Sequence, residues 1–476
     1  MLAINAKYVH SSLSAWILAE SIPRFARVKH DVEVVEATIN QSDEEIVSLV
    51  AAQSPDVVGI STYIWNAGKL PKLLELLRKL LPETVFVLGG PEATHNTEYW
   101  LANGADFVAR GEGERSFPAL LDELVDGETP NPIVESIPID EFSNPCSEAY
   151  FASLKNKIAY LETSRGCPFS CAFCLSAGTN VRFMPIDKAF AQIDKLSKSG
   201  VRTIKFVDRT FNCDKARAYE IFEYVIDLDT DCCFHFEVAA DLFDERTITL
   251  LSTAPHGRIQ FEAGLQSFFP PALEASSRKT DLELAKQNLR ALLRGDNIHI
   301  HVDLIAGLPY ETLPDLANSF DRAYKIGAHH LQLGFLKLLH GSKLREQYEN
   351  IIIHAETPPY EVICSPWLSA DDLKIIKHTE NALQRTYNQG RFLSTLKYVL
   401  ETSNLRPFSL YRGLGEFAPN HGMHLDKYAE LIYEHFATLP NVNPDELRDC
   451  MTVDWLERHN RKNMPNFLKN RRRDDG

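Results

Sequence analysis

No stretch of the sequence is long and apolar enough to cross a lipid bilayer, and its N-terminus lacks the basic and apolar regions of a signal peptide. Cysteine is scarce, with nine residues in a chain of 476, which argues against a disulfide framework and for a reducing compartment. Positive charge is in deficit, because the net charge is −15 at pH 7. A broad electrostatic attraction to nucleic acid is therefore not expected. These absences predict a cytoplasmic protein with no membrane partner.

The rest of the composition is that of an ordinary globular protein, with 44% hydrophobic and 24% charged residues. A chain of 476 residues is long enough for two or three domains with full-sized cores.

Three of the nine cysteines lie close together in the sequence Arg165-Gly166-Cys167-Pro168-Phe169-Ser170-Cys171-Ala172-Phe173-Cys174. Thiolates are soft ligands that suit iron–sulfur clusters and zinc. Zinc normally takes four ligands, often from two paired motifs, and no second pair follows here. Cys167, Cys171 and Cys174 are therefore predicted to bind three irons of a cubane cluster and to leave the fourth iron open. Three unrelated buried thiols are the remaining alternative.

Short apolar segments alternate with helical patterns through the first third of the chain. Strands are predicted at residues 2–5, 32–37, 57–63, 85–90 and 107–111, and a helix with leucines on one face is predicted at residues 70–81. This alternation predicts a five-stranded, doubly wound α/β domain over residues 1–128. Such a sheet binds ligands beyond the carboxyl ends of its strands.

Small and polar residues occupy three of these strand ends. Glycine there permits close approach of a bulky ligand, although tight strand-to-helix turns alone would also use it. The predicted ligand-binding residues are Ser61, Thr62, Gly89, Gly90, Pro91, Glu92, Gly111 and Glu112.

A proline-rich linker is predicted over residues 129–152, after which strand–helix alternation resumes over residues 153–344. The six strands predicted there are residues 158–163, 203–207, 234–239, 258–265, 298–305 and 330–336. Residues 345–476 are predicted to be mostly helical, with a long pattern at 373–400 interrupted by Gly390. Arg471 to Arg473 are expected to form a disordered tail.

These features together resemble the cobalamin-dependent radical S-adenosylmethionine (SAM) enzymes. The cysteine spacing is similar to their cluster motif, whose open iron binds SAM. The three glycine-rich strand ends resemble the flavodoxin-like cobalamin-binding domain that precedes the catalytic core in this family. The six later strands resemble its partial (β/α)6 barrel, and the last region resembles a helical domain of unknown function.

The resemblance implies a 4Fe-4S cluster, SAM and cobalamin as cofactors. It also implies SAM-binding residues at the strand ends, including the Gly-Leu-Gln-Ser and Gly-Leu-Pro segments that begin at positions 264 and 307. Carboxylates, an arginine and an amide match the ammonium, carboxylate and ribose groups of SAM. The implied residues are Asp208, Glu237, Glu262, Gln266, Ser267, Arg278 and Gly307.

One departure from the family concerns the loop after the first strand. Many cobalamin-binding domains carry Asp-x-His-x-x-Gly there, whereas this chain reads Tyr8-Val9-His10-Ser11-Ser12-Leu13. A histidine that binds a metal usually needs a carboxylate hydrogen-bonded to its other nitrogen to fix its tautomer, and the aspartate that would supply it is missing. His10 is therefore expected to approach cobalt, to cap the first helix or to line the pocket.

The implied function is methyl transfer to an unactivated carbon, by way of a 5′-deoxyadenosyl radical and methylcobalamin. One alternative keeps both cofactors but forms a ring, rearranges or oxidises the substrate. Another is a cobalamin-binding regulatory protein whose cluster is only structural. The implied partners are an electron donor such as flavodoxin or ferredoxin and an unidentified substrate, either a small molecule or a peptide.

Overall fold

The computed structural model describes residues 1–419, 422–458 and 464–469, and the chain divides into two compact units. The first unit comprises Met1–Phe261, Lys337–Asn350 and His354–Glu361, and the second comprises Glu262–Leu336, Ile351–Ile353 and the chain from Val362 onward. The predicted tail at Arg471 to Arg473 lies outside the described residues. Within the described part of the chain, no helix is long and apolar enough to cross a membrane.

The N-terminal region alternates strands and helices as predicted. Its elements are β1 (Leu2–Asn5), α1 (Leu13–Phe25), β2 (Val35–Thr38), α2 (Asp43–Ala51), β3 (Val57–Ser61), α3 (Leu70–Leu80), β4 (Val85–Gly89), α4 (Pro91–His95), α5 (Thr97–Ala102), β5 (Phe107–Ala109), α6 (Ser116–Val125), β6 (Ile133–Val134) and α7 (Glu148–Ser153).

Six parallel strands form its sheet, in the order β2-β1-β3-β4-β5-β6, rather than the five that were expected. The additional strand, β6, lies in the segment predicted as a linker. The amide of Val108 donates to the carbonyl of Pro132 at 2.8 Å, and that of Arg110 donates to Val134 at 2.9 Å. Residues before and around proline favour extended backbone, so this segment could pair with the sheet edge.

The predicted leucine face of α3 forms part of the core of this domain. Leu70, Leu73, Leu74 and Leu77 are each at most 1% exposed and pack with the strands of the sheet. Because these residues recur at helical spacing, one face of α3 is apolar and covers the sheet.

The second strand–helix region contains all six predicted strands and one hairpin that was not predicted. Its elements are β7 (Ala159–Leu161), β8 (Ser164–Cys167), β9 (Thr179–Phe183), α8 (Ile186–Ser197), β10 (Thr203–Phe206), α9 (Lys215–Asp227), β11 (Cys233–Val238), α10 (Glu245–Leu251), β12 (Ile259–Gln266), α11 (Pro270–Ala275), α12 (Leu282–Leu293), β13 (Ile298–Ala306), α13 (Leu313–Tyr324) and β14 (His330–Phe335), with 3-10 turns at Phe211–Cys213 and Ala240–Leu242.

In the first unit β7, β10 and β11 pair in parallel, and in the second unit β13 and β14 do the same. Two of the barrel strands, β12 and β13, bury alternate residues. In β12, Phe261, Ala263 and Leu265 are buried, whereas Glu262 and Gln266 are only partly covered. This period of two leaves one face of β12 partly exposed.

The remaining elements are α14 (Lys343–Tyr348), β15 (Ile353–His354), β16 (Val362–Cys364), α15 (Ala370–Arg385), α16 (Leu393–Ser403), α17 (Pro407–Phe417), α18 (Leu425–Phe436), α19 (Pro444–Arg458) and α20 (Asn466–Lys469), with a 3-10 turn at Tyr387–Gln389. The long helical pattern predicted at 373–400 is thus two helices. Gly390, at φ 61°, separates them in the left-handed conformation that glycine tolerates. The α/β fold with parallel sheets and a helical C-terminal region is confirmed.

Candidate functional site

The three-cysteine loop is held by the antiparallel hairpin of β8 and β9. The amide of Cys167 donates to the hydroxyl of Thr179 at 3.0 Å and closes the base of the loop. Gly166 has φ 104°, and a Cβ on it would lie 2.3 Å from the carbonyl oxygen of Asn180. Only glycine fits there without a shift of the backbone, so the hairpin requires glycine at position 166.

The three thiols lie together at low exposure. Cys167 and Cys171 are buried and Cys174 is half-buried. Burial raises the pKa of the Cys174 thiol, and the neighbouring thiols of Cys171 and Cys167 raise it further. A bound metal centre would reverse this effect by stabilising thiolates. No three histidine, cysteine or acidic side chains among the described residues converge on a single metal ion. The cubane predicted from the cysteine spacing needs no such convergence, because each thiolate binds a different iron.

Asp208, which was expected to contact SAM, lies next to the chain that leads into the cysteine loop. It is 1% exposed. Its carboxylate accepts hydrogen bonds from the Thr163 amide at 2.8 Å, the Thr163 hydroxyl at 2.7 Å and the Ser164 hydroxyl at 2.7 Å. Burial raises the pKa of Asp208 to about 6. Its oxygens are therefore directed at the chain that leads into β8.

Arg165, beside the cysteines, is surrounded by carboxylates. Its guanidinium lies 3.2 Å from Glu112, 2.8 Å from Glu114 and 2.6 Å from Glu162. Glu112 also pairs with Arg182. The acidic turn after β5 is thus joined by charge to the cysteine loop.

A cavity of 680 Å³ lies in the first unit, and small residues at the ends of three strands form its floor. The floor residues are Gly59, Ser61, Gly89, Gly90, Ala109 and Gly111. Gly90 has φ 99°, and a Cβ there would lie 2.8 Å from the carbonyl oxygen of Thr62. Because almost no side chain rises from this floor, a large flat ligand can approach the backbone.

Of the residues predicted to bind cobalamin, five line this cavity: Ser61, Gly89, Gly90, Gly111 and Glu112. Thr62, Pro91 and Glu92 are not among the lining residues. Thr62 is fully buried under the turn, where its carbonyl accepts from the Glu92 amide at 3.3 Å. The Glu92 carboxylate accepts a hydrogen bond from the Tyr360 hydroxyl at 2.5 Å.

The same cavity is also lined by Gly166 and Ser176 of the cysteine loop, together with Glu237, which was predicted to bind SAM. Glu237 lies 3.4 Å from the Lys205 ammonium. The sequence analysis missed several lining residues: Tyr63, Trp65, Tyr160, Lys205 and Arg209. Tyr63 is the last residue of a predicted strand, and Trp65 and Arg209 each lie just beyond one, so position at a carboxyl end was the available signal.

His10 also lines the cavity, where its Nδ1 lies 2.6 Å from the hydroxyl of Tyr160. Burial lowers the pKa of His10, and the ammonium groups of Lys7 and Lys205 lower it further. This contact engages Nδ1 of the imidazole in either tautomer. The loop itself is fixed to the first barrel strand, since the Ile158 amide donates to Val9 at 2.8 Å.

The second unit holds the other residues that were predicted to bind SAM. Glu262 is half-buried on β12, and Gln266 ends that strand at φ 70°. Arg278 donates to the carbonyl of Gly264 at 2.7 Å. Gly307 follows β13 at φ 98°, a conformation that favours glycine.

Ser267, at the end of the Gly-Leu-Gln-Ser segment, is fully buried. Its hydroxyl donates to Glu311 at 2.5 Å, and Glu311 also accepts from Ser319 at 3.0 Å. Burial raises the pKa of Glu311 to about 7. Ser267 is therefore part of a buried hydrogen-bond network that joins the turn after β12 to α13.

Three family models match the chain. The B12 binding domain matches residues 1–121, the radical SAM superfamily matches residues 161–323, and a protein family of unknown function, DUF4080, matches residues 346–476. The chain therefore consists of a B12-binding domain, a radical SAM domain and a DUF4080 domain. This finding confirms the resemblance predicted from the cysteine loop and the strand ends.

Several known proteins with similar sequences are methyltransferases, and another is an anaerobic magnesium-protoporphyrin IX monomethyl ester cyclase of Rubrivivax gelatinosus. An uncharacterized methyltransferase of Pyrococcus horikoshii is 25% identical over 67% of this chain and 75% of its own length. The cobalamin-dependent radical SAM methyltransferase TokK of Streptomyces tokunonensis is 23% identical over 82% of this chain but only 62% of its own length. The radical SAM methyltransferase TsrM of Kitasatospora setae, solved with cobalamin and a [4Fe-4S] cluster, has a TM-score of 0.59 at 16% identity, covering 75% of this chain and 78% of TsrM. At that identity the likeness to TsrM establishes the fold.

Proposed function

We propose that this protein is a cobalamin-dependent radical SAM methyltransferase that acts on an unactivated carbon. The observation that carries the proposal is the shared cavity of the first unit. It is lined both by the glycine-rich edge of the B12-binding domain and by Gly166 and Ser176 of the cysteine loop. Two cofactors held by these two groups of residues would share one cavity.

Separate groups of residues would hold the two cofactors. Cys167, Cys171 and Cys174 would hold the 4Fe-4S cluster, and the strand ends at Ser61, Gly89–Gly90 and Gly111 would hold cobalamin. When bound, the cluster with SAM supplies a 5′-deoxyadenosyl radical, and cobalamin supplies a methyl group.

The walls of the cavity add orientation and exclude water. Tyr63 and Trp65 stack with ring centroids 4.2 Å apart, and the Trp65 indole donates to the Ile4 carbonyl at 3.1 Å. This pair forms a rigid apolar surface. The Lys205–Glu237 ion pair offers both signs of charge to a polar ligand, and we assign Glu237 to SAM. Gln266 and Arg278 of the second unit are proposed to contact SAM as well.

The proposal includes domain limits and partners. We assign residues 1–128 to cobalamin binding, 129–152 to the linker, 153–344 to the radical SAM core and 345–476 to the helical domain. An external one-electron donor such as flavodoxin or ferredoxin would reduce the cluster in the cytoplasm. The substrate would be a small molecule or a peptide.

The test is SAM turnover by the anaerobically reconstituted full chain. We expect about four irons per chain and release of 5′-deoxyadenosine, with both lost in Cys171→Ala. Cys450→Ala, which removes a half-buried thiol of α19, serves as the matched control and should behave as the wild type. Formation of S-adenosylhomocysteine separates methyl transfer from ring closure, rearrangement or oxidation. Absence of both products from iron-replete protein would favour the regulatory alternative.

A further inference from the structure

One part of the first unit comes from far along the chain. Residues 337–350 and 354–361 belong to this unit, although they lie just before and just inside the start of the DUF4080 match at residue 346. We call them the bracing segment. It contacts both of the loops to which the proposed function assigns cofactors.

The main contact of the bracing segment is made by Tyr360. Its hydroxyl donates to the Glu92 carboxylate at 2.5 Å, and Tyr360 and Glu92 are 2% and 3% exposed. Glu92 lies in the first turn of α4, directly after the Gly90 and Pro91 turn at the cavity floor. Its amide donates to the Thr62 carbonyl, against which Gly90 also packs. The hydrogen bond therefore reaches a residue two positions beyond the proposed cobalamin turn at Gly89–Gly90.

The Tyr360 side chain is itself firmly held. The His340 ring packs edge-on against its ring at 4.9 Å, and the Arg345 guanidinium lies 5.3 Å from the ring centroid. Its carbonyl accepts from the Leu338 amide at 3.0 Å. Tyr360 adopts φ 59°, a left-handed conformation that is costly for a bulky residue and that concentrates at functional sites.

Two further contacts extend the same support. Gly341 packs so closely on the ring of His95, at the end of α4, that a Cβ there would lie 2.2 Å from Nδ1. The amide of Leu344 donates at 2.8 Å to the carbonyl of Ala172, between the second and third cysteines. The bracing segment thus touches the cobalamin turn at α4 and the cluster loop at Ala172.

We propose that Tyr360 is a positioning residue for the cobalamin site, and that the start of the DUF4080 domain fixes the Gly89–Gly90 turn through the buried Tyr360–Glu92 hydrogen bond. This inference rests on the proposed function, because it takes the cavity floor as the cobalamin site. It gives the first part of the DUF4080 domain a definite role in cofactor binding.

The energetics favour a measurable effect. Burial raises the pKa of Glu92, while the Tyr360 hydroxyl lowers it again. A buried carboxyl that loses its donor keeps the cost of its own desolvation. Without this hydrogen bond Glu92 would move toward water and carry the Gly89–Gly90 turn with it. The flat floor of the cavity would then be lost in a fraction of the molecules. A weakening of cobalamin binding by about tenfold is expected from one such hydrogen bond.

The experiment measures hydroxocobalamin affinity and iron content in the reconstituted full chain. Tyr360→Phe removes only the hydroxyl and leaves the ring between His340 and Arg345. We expect cobalamin affinity to fall about tenfold while iron content stays at the wild-type level. Glu92→Gln keeps an acceptor for the phenol and should retain most of the affinity. Tyr360→Phe combined with Glu92→Gln should bind no more weakly than Tyr360→Phe alone, because both changes act on one contact.

Tyr411→Phe is the matched control, since it removes a buried hydroxyl that donates to Tyr324 at 3.2 Å in the second unit. It should leave cobalamin affinity unchanged. If Tyr360→Phe also binds cobalamin as the wild type does, the contact is only structural and the inference fails. If Tyr360→Phe does not fold, Glu92→Ala replaces it, and unchanged affinity there has the same meaning. If the wild type binds no cobalamin, the proposed function fails first.

Discussion

Replacing Asp208 by asparagine and by alanine distinguishes two roles for this carboxylate. One role is the SAM contact expected from its place at a strand end. The other is support of the cysteine loop, as its three hydrogen bonds to Thr163 and Ser164 indicate. Both substitutions remove the same negative charge. The difference between the two variants therefore isolates the hydrogen bonds.

The difference in stability between the two variants follows from the hydrogen bonds that each one keeps. Asparagine can keep all three contacts, because its oxygen can accept from the Thr163 amide while its NH2 group donates to the two hydroxyls. Asparagine also removes the buried negative charge. Burial raises the pKa of Asp208 from 3.8 to about 6, so keeping the carboxylate charged at neutral pH costs about 3 kcal/mol of folding stability. Alanine leaves the buried Thr163 amide without an acceptor, at a cost of ~1–3 kcal/mol, and ends two hydroxyl contacts. Alanine should be worse than asparagine by about 3 kcal/mol.

The assay is iron and sulfide content after anaerobic reconstitution, followed by SAM affinity of the iron-replete fraction. Asp208→Asn should match the wild type in both measurements, and Asp208→Ala should lose most of its cluster. Asp194→Ala is the control, because Asp194 accepts a hydrogen bond from Tyr224 on α9, away from the cysteines. A different pattern would refute this reasoning. If Asp208→Asn keeps its iron but loses SAM affinity tenfold or more, the carboxylate binds SAM directly.

Three further predictions concern single residues. Gly166→Ala should lose most of its iron, because its Cβ would meet the Asn180 carbonyl, whereas Gly178→Ala, at φ 65° with nothing within 4 Å, should keep it; equal iron contents would contradict the role of the hairpin. His10→Ala should bind cobalamin with little loss, and neither it nor the wild type should show nitrogen splitting in the Co(II) electron paramagnetic resonance spectrum; splitting that vanishes in the variant would show that His10 is a cobalt ligand. Burial raises the pKa of Glu311 from 4.5 to about 7. Between pH 4.5 and about pH 7 the Glu311 carboxyl is therefore protonated in the folded state but ionised in the unfolded state, and the wild type loses stability as the pH rises through this range. Glu311→Gln should therefore raise Tm over the wild type more at pH 8 than at pH 5, and an equal rise in calorimetry at both values would count against it.

Much of the fold could be predicted from sequence because its signals are local. Apolar runs of strand length, leucines at helical spacing in α3 and glycine at strand ends all act within a few residues. The strand β6 escaped prediction because Ile133 and Val134 are too few to form a pattern. Their pairing depends on an open sheet edge beside Val108, which only the tertiary structure supplies.

The site was harder to predict where the partner of a side chain decides its role. A strand end identifies Asp208 and Glu92 as acids near a ligand, but it does not tell which way each carboxylate points. Asp208 turns to Thr163 and Ser164, and Glu92 turns to Tyr360, which lies 268 residues away in sequence. Such pairings have no local signal, since they depend on how distant elements pack.

His10 illustrates how a partial motif is completed by the fold. The sequence lacks the aspartate two positions earlier, which would orient the imidazole. In the structure that orienting contact comes instead from Tyr160 of β7, which lies 2.6 Å from Nδ1. The Ser11 hydroxyl donates to the Ile158 carbonyl at 2.7 Å, so the loop after β1 is tied to the start of the first barrel strand. A histidine held in this way is fixed to the barrel, because its loop and one of its nitrogens are both engaged there. The Tyr160 contact therefore stands where the missing aspartate would act, and it joins the histidine of the B12-binding domain to β7.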